Sequence, residues 1–182
     1  AGAVEEEDHG ELLAGRQVGG HVDAVLEGLA LGGLERLGGR QIGGGLGAEH
    51  AREYARAGAN VVVNDINRDA AQKVVDEIIA AGGKAVVNTS DITNYADSEN
   101  AVKQAIAEFG DLHVVLNNAG INRDRMFASL TEADWDAIMA VHLKGHFCIS
   151  SHAVHYWRDQ SKAGKKVDAR IINTTSGAGL QG

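Results

Sequence analysis

The sequence predicts an α/β fold, a three-layer sandwich with helices on both faces of a parallel sheet, and three observations carry that prediction. Four short runs rich in Val, Ile and Leu, at 60–64, 84–88, 112–116 and 170–173, read as strands. Helical patterns of ten or more residues separate them, which implies crossover connections and parallel pairing. A glycine-rich turn, Gly43-Gly44-Gly45-Leu46-Gly47, opens the first of those helices. The right-handed crossover rule stacks such units into one layer.

Each element has a local reason. In the helix at 47–57, Ala48, Ala51, Tyr54 and Ala55 share a face, and Gly58 suits its C-terminal cap. Residues 60–64 (Asn-Val-Val-Val-Asn) form a buried strand that ends at Asp65. From 68 to 81, Ala71, Val74, Val75, Ile78 and Ile79 make one stripe, stopped by Gly82-Gly83. The strand 84–88 leads to a helix at 95–109 carrying Ala101, Val102, Ala105, Ile106 and Phe109. The strand 112–116 runs into Asn117-Asn118-Ala119-Gly120. Thr131 with Asp134 starts one long helix that reaches about Arg158, and 170–173 is the last strand.

Composition divides the chain near residue 42. Residues 1–42 contain no Ser, Thr, Asn, Lys or aromatic residue, and their eight acids against three Arg account for -5 of the formal net charge of -8. Paired glycines at 19–20, 32–33 and 38–39 interrupt any regular element. The segment reads as poorly ordered, with no recognisable first strand, while 43–182 reads as a partial dinucleotide-binding domain. Two origins compete for 1–42: a divergent extension, or a stretch outside the natural reading frame. The abrupt change of alphabet favours the second.

The remaining composition is that of an ordinary globular chain, 44% hydrophobic and 23% charged over 182 residues. The negative balance argues against a nucleic-acid surface, and no apolar run is long enough to span a bilayer. One cysteine, Cys148, agrees with a reducing compartment, and the expected location is cytoplasmic.

Asn117-Asn118-Ala119-Gly120, the glycine turn at 43–47 and Asp65 at the end of the following strand together resemble the short-chain dehydrogenase/reductase family. The resemblance implies a Rossmann-like sheet and a nicotinamide cofactor. On that basis Gly43, Gly45, Leu46 and Gly47 lie at the pyrophosphate, and Asp65 accepts hydrogen bonds from the adenosine ribose. Asn117, Ala119 and Gly120 lie beside the nicotinamide ribose. Asp91 either borders the adenine or caps a turn. The carboxylate of Asp65 favours NAD, with NADP left open by Arg68 three residues on. The family's Thr-Gly-x-x-x-Gly-x-Gly is matched only in its last two glycines, because Arg40 and Gln41 stand in the place of the Thr and the first Gly.

Residues 121–127 (Ile-Asn-Arg-Asp-Arg-Met-Phe), Trp135-Asp136 and 141–147 (Val-His-Leu-Lys-Gly-His-Phe) narrow the resemblance. They are similar to the (3R)-hydroxyacyl-CoA dehydrogenase branch, found in multifunctional enzyme type 2 and bacterial relatives. Most members carry Asn at the place of His142. Either His142 serves the proton relay that this Asn serves, or it is a packed structural histidine. A metal site is not expected: at 100° per residue His142 and His146 share a face, whereas His152 and His155 point elsewhere.

Ser176, in the strand-to-loop run 171–179, matches the family's serine that orients the substrate carbonyl, with Thr174 and Thr175 as neighbours of the same chemistry. The family's Tyr-x-x-x-Lys acid/base pair is not in these residues: Tyr54, Tyr95 and Tyr156 are followed four positions later by Gly58, Glu99 and Gln160. The sequence is therefore expected to be a fragment lacking the last strands and inactive by itself. The complete protein is expected to be an NAD(P)-dependent oxidoreductase interconverting a secondary alcohol and a ketone, with 3-hydroxyacyl and 3-oxoacyl thioesters, acyl-CoA among them, as the substrate class. It is expected to be a homo-oligomer without nucleic-acid or membrane partners. The alternative is a non-catalytic nucleotide-binding or structural remnant.

Overall fold

The computed structural model describes residues 23–27 and 45–177. Its elements run β1 (Asp23–Glu27), α1 (Leu46–Arg56), β2 (Asn60–Asn64), α2 (Arg68–Ala80), β3 (Lys84–Asn88), α3 (Tyr95–Phe109), β4 (Val114–Asn117), α4 (Glu132–Met139), a π-helical segment (Ala140–Gly145), α5 (His146–Lys162) and β5 (Arg170–Asn173). The strands form one parallel sheet in the order β3-β2-β1-β4-β5.

The expectation that the first strand is unrecognisable is corrected by β1, which occupies the centre of the sheet. It pairs with β2 from Asp23↔Asn60 to Glu27↔Asn64, and with β4 from Ala24↔Val114 to Glu27↔Asn117. Its sequence, Asp-Ala-Val-Leu-Glu, has a single β-branched residue, so period and propensity do not reveal it. Two waiting neighbours, each in need of a parallel partner, define it instead. The expectation for the rest of 1–42 and for Gly43 lies outside the described residues.

Alternation along the strands divides the core in two. Val61, Val63, Ala85 and Leu116 face α1 and α2, packing with Ala48, Ala51, Val74, Val75 and Ile78. Val62 and Val115 point the other way, against Ala101, Val102 and Ala105 of α3 and Ile149, Ala153 and Trp157 of α5. This is the three-layer sandwich. Ile79 does not join the stripe of α2 and is 53% exposed.

The helix starts are chemically specified. Asn67 and Asn94 accept from the amides of Ala70 and Asp97, and Thr131 forms a capping box with Asp134. Gly110 ends α3 at φ 92°, a left-handed geometry that a side chain strains. The long helix expected from Thr131 is present from Glu132 to Lys162, as α4, a π turn and α5 without interruption. Its middle is widened at 140–145, where two loops press against it. Among the described residues no helix is long and apolar enough to cross a membrane.

Candidate functional site

The carboxyl ends of the strands meet where the chain order reverses, between β1 and β4, which is the usual ligand crevice of an open parallel sheet. Among the described residues four of the five strands end in Asn, and register aligns them: Asn88 beside Asn64, and Asn117 beside Asn173, with Asn64 and Asn117 both opposite Glu27. Alternation puts Asn64, Asn88 and Asn117 on the α3/α5 face, two residues beyond Val62, Val86 and Val115. Asn88 Nδ2 donates to Gln104 Oε1 of α3 at 2.8 Å. Asn117 Nδ2 donates to Ser150 Oγ of α5 at 3.0 Å and to Asn173 Oδ1 at 2.7 Å. The side-chain oxygens of Asn64 and Asn117 are buried without a hydrogen-bond partner.

Asp65 follows β2 directly. It is 4% exposed; Oδ1 accepts from the Asn67 amide at 2.7 Å, while Oδ2 is buried with no partner. Burial raises its pKa to about 6, against the smaller opposing effect of the Asn67 amide. A buried carboxylate oxygen left open is an acceptor in need of a donor, and a vicinal diol supplies one. Nearby in the same βαβ unit, α1 starts at Gly45 with no side-chain cap, so Leu46 and Gly47 present first-turn amides. Leu46 is exposed and Gly47 buried. These groups fit a dinucleotide: an anion site at a helix start and a ribose acceptor at the next strand end.

Asp91 takes part in a turn. Its Oδ1 accepts from the amide and hydroxyl of Thr93 at 2.8 and 2.7 Å, while its own amide donates to Asp97 Oδ2. The capping reading is the one that these bonds favour.

The loop after β4 is held from the helix side. His146 Nε2 lies 3.0 Å from the Ala119 carbonyl, and a carbonyl only accepts, so this nitrogen carries the proton. Burial lowers the pKa of His146, followed by an opposing effect of the Ala119 carbonyl. His142 Nε2 lies 3.0 Å from Ile121 N and 2.8 Å from Ile121 O, accepting from the amide in one tautomer and donating to the carbonyl in the other. Gly120 sits between, and a Cβ there would meet His142 Cε1 at 2.8 Å. Of the two readings of His142, the Ile121 contacts favour the structural one.

The Asn117 side chain is fully enclosed at 0% exposure and its amide is engaged by Ser150 and Asn173, so it braces the loop from behind. On the β5 side, the Thr174 amide donates to the Asn117 carbonyl, and its hydroxyl donates to Asn118 Oδ1. Ser176, exposed, lies three residues past Asn173 on the same edge. Asp65, Ala119, Gly120 and Ser176 thus all follow strand ends on the carboxyl side. The three tyrosines are engaged elsewhere: Tyr54 packs against the core on the α1/α2 face, Tyr156 donates to Asp111 before β4, at the opposite edge, and Tyr95 meets Ser151. Among the described residues no three His, Cys, Asp or Glu gather as a metal site.

Sequence reasoning missed His146, Ser150 and Asn173. The repeated Asn at strand ends and the four-residue spacing of His142 and His146 were the available signals.

A family model described as short chain dehydrogenase matches residues 42–182. The chain is 46% identical over 145 residues to the hydroxyacyl-CoA dehydrogenase ChsB1 of Mycobacterium tuberculosis, covering 76% of this chain and 45% of that protein. It is 41% identical over 149 residues to the peroxisomal multifunctional enzyme type 2 of Mus musculus, covering 77% and 19%. The crystal structure of a short chain dehydrogenase from Mycobacterium avium superposes with a TM-score of 0.78 at 48% identity, covering 89% of this chain and 56% of that one. The chain therefore spans about half or less of the length of these relatives. With its parallel Rossmann-like sheet, its strand-end acid and this match over most of its length, the chain belongs to the short-chain dehydrogenase family.

Proposed function

We propose that this chain is the nucleotide-binding part of an NAD-linked oxidoreductase that interconverts a secondary alcohol and a ketone on 3-hydroxyacyl and 3-oxoacyl thioesters. The observation that carries the reading is the unpartnered, buried Oδ2 of Asp65 at the end of β2. It would accept from the ribose hydroxyls, while the amides of Leu46 and Gly47 face the pyrophosphate. Asp65 would repel a 2'-phosphate, which favours NAD; Arg68, at the first position of α2, leaves NADP as a second substrate to be measured. When bound, the nicotinamide supplies or accepts the hydride. The chain's own part is orientation: Ala119 and Gly120 shape the wall beside it, and the Ser176 hydroxyl holds the substrate oxygen.

The thioester class rests on the activity of relatives such as the hydroxyacyl-CoA dehydrogenase, and on the resemblance carried by residues 121–127 and 141–147. A homo-oligomer is part of the proposal, since Trp135, Leu143 and Phe147 leave an apolar face exposed along α4, the π segment and α5. We place the protein in the cytoplasm, in keeping with its lone buried thiol, Cys148; peroxisomal names among the relatives make that organelle the competing location.

The test is titration with NADH and NADPH, followed by nicotinamide fluorescence and by turnover of a 3-oxoacyl thioester in the protein carrying its gene's full coding sequence. Tighter NADH binding with turnover is the expected result, and absence of both rejects the reading. Binding without turnover, by the 182 residues and by the protein carrying its gene's full coding sequence alike, supports a second reading, a non-catalytic nucleotide binder.

A further inference from the structure

We propose that His142 and His146 form a two-point clasp on the backbone of Ala119–Ile121, and that His146 is thereby a positioning residue for the nicotinamide end of the site. The inference rests on the reading above for what the loop touches, and on geometry for the clasp itself.

The two imidazoles project from successive turns, His142 in the π segment and His146 at the start of α5. They reach residues two apart in the loop: Nε2 of His146 to the Ala119 carbonyl at 3.0 Å, Nε2 of His142 to the Ile121 amide and carbonyl. Gly120, between the two grips, has no room for a side chain because the His142 ring fills it. The loop is thus fixed at two points with its middle residue pressed flat against a ring. Thr174 ties the loop only as far as Asn118; beyond it, the attachments to Ala119 and Ile121 remove most of the remaining freedom.

The clasp also tolerates changes of protonation. His146 donates from Nε2 whether its other nitrogen is protonated or not, and His142 can grip Ile121 as acceptor or donor. Its partners are backbone groups, which side-chain substitution in the loop cannot remove. The widening of the helix at 140–145 belongs to the same arrangement, because on its other side Gly145 lies against Ile92, with a Cβ there meeting Ile92 Cδ1 at 2.7 Å. The π turn is therefore wedged between the loop after β3 and the loop after β4.

The test uses the full chain and its His146→Ala and His146→Gln variants, measuring amide hydrogen exchange at Gly120 and Ile121 and binding of NADH and of AMP, which lacks the nicotinamide half. His146→Ala should speed exchange at these two amides about tenfold and weaken NADH about tenfold, the effect of one backbone hydrogen bond, with AMP unchanged. His146→Gln, whose amide can still donate, should recover most of both effects. Unchanged exchange in His146→Ala, equal losses for AMP and NADH, or no recovery by Gln would each overturn the clasp. If the parent chain binds no NADH, the functional reading fails here, and the exchange rates with their Gln recovery still decide the clasp.

Discussion

The imidazole of His142 stands where a side chain on Gly120 would have to be: Cε1 lies 2.8 Å from the position of a Cβ built there. Gly120→Ala must push the ring away from Ile121, and the ring cannot move without giving up its backbone contacts. The expected cost is about 1–3 kcal/mol in urea unfolding. In the Gly120→Ala, His142→Ala double variant the clash is gone, so the two costs should sum to less than their separate values.

Asp65 should trade stability against ligand binding. Its folded-state pKa of about 6 lies above the ordinary 3.8. Stability is therefore fully present below pH 3.8 and declines as pH rises through about 6, by on the order of 3 kcal/mol in total. Asp65→Asn removes this slope, so that the variant is more stable than the parent at pH 7 in denaturant titrations. The same variant should bind NADH more weakly, and in the parent NADH affinity should fall as the pH drops below about 6, where the carboxylate is lost.

Gly145 and Ile92 offer a second coupled pair. A Cβ at Gly145 would meet Ile92 Cδ1 at 2.7 Å and Cγ1 at 2.9 Å, inside a buried contact. Gly145→Ala is expected to lower stability by about 1–3 kcal/mol. Adding Ile92→Val, which removes the terminal methyl, should restore part of it, and thermal melts of the four combinations measure the coupling.

Removing the Asn117 side chain empties a fully buried position and takes its amide from Ser150 and from the exposed Asn173. Asn117→Ala should cost about 2–3 kcal/mol. Asn117→Asp should be worse at pH 7, since it buries a charge, and should recover as the pH is lowered towards 4, where the new carboxyl is neutral. Urea midpoints at both pH values provide the check.

Much of the framework was legible because each segment states its own period. The strand Lys84–Asn88 and the helix Tyr95–Phe109 appear with the expected bounds, since apolar spacing and a cap at each helix start agree. β1 was not legible: Ala24, Val25 and Leu26 between two acids carry no strand signature, and its place comes from β2 and β4 on either side. The π turn within the long helix was equally hidden, because helical residues continue on both sides and the groups packed against it, Ile92, Ala119 and Ile121, are distant in sequence. At the site, Asp65 could be placed by distance from the glycine turn. The inward turn of the Asn117 side chain was not legible, because motif position tells which loop a residue belongs to and alternation decides which face it takes.

The aligned asparagines carry a consequence for how this sheet tolerates insertions and deletions. Because each of β2, β3 and β4 closes with an amide tied to the layer beneath or beside it, sliding any one strand by a single residue towards its carboxyl end would turn its amide to the α1/α2 face and bring a valine or leucine against Ser90, Gln104 or Ser150. The strand termini thus act as an index mark for alignment: segments exchanged with another family member should fold only when the swap preserves the count of residues between the start of each strand and its closing asparagine.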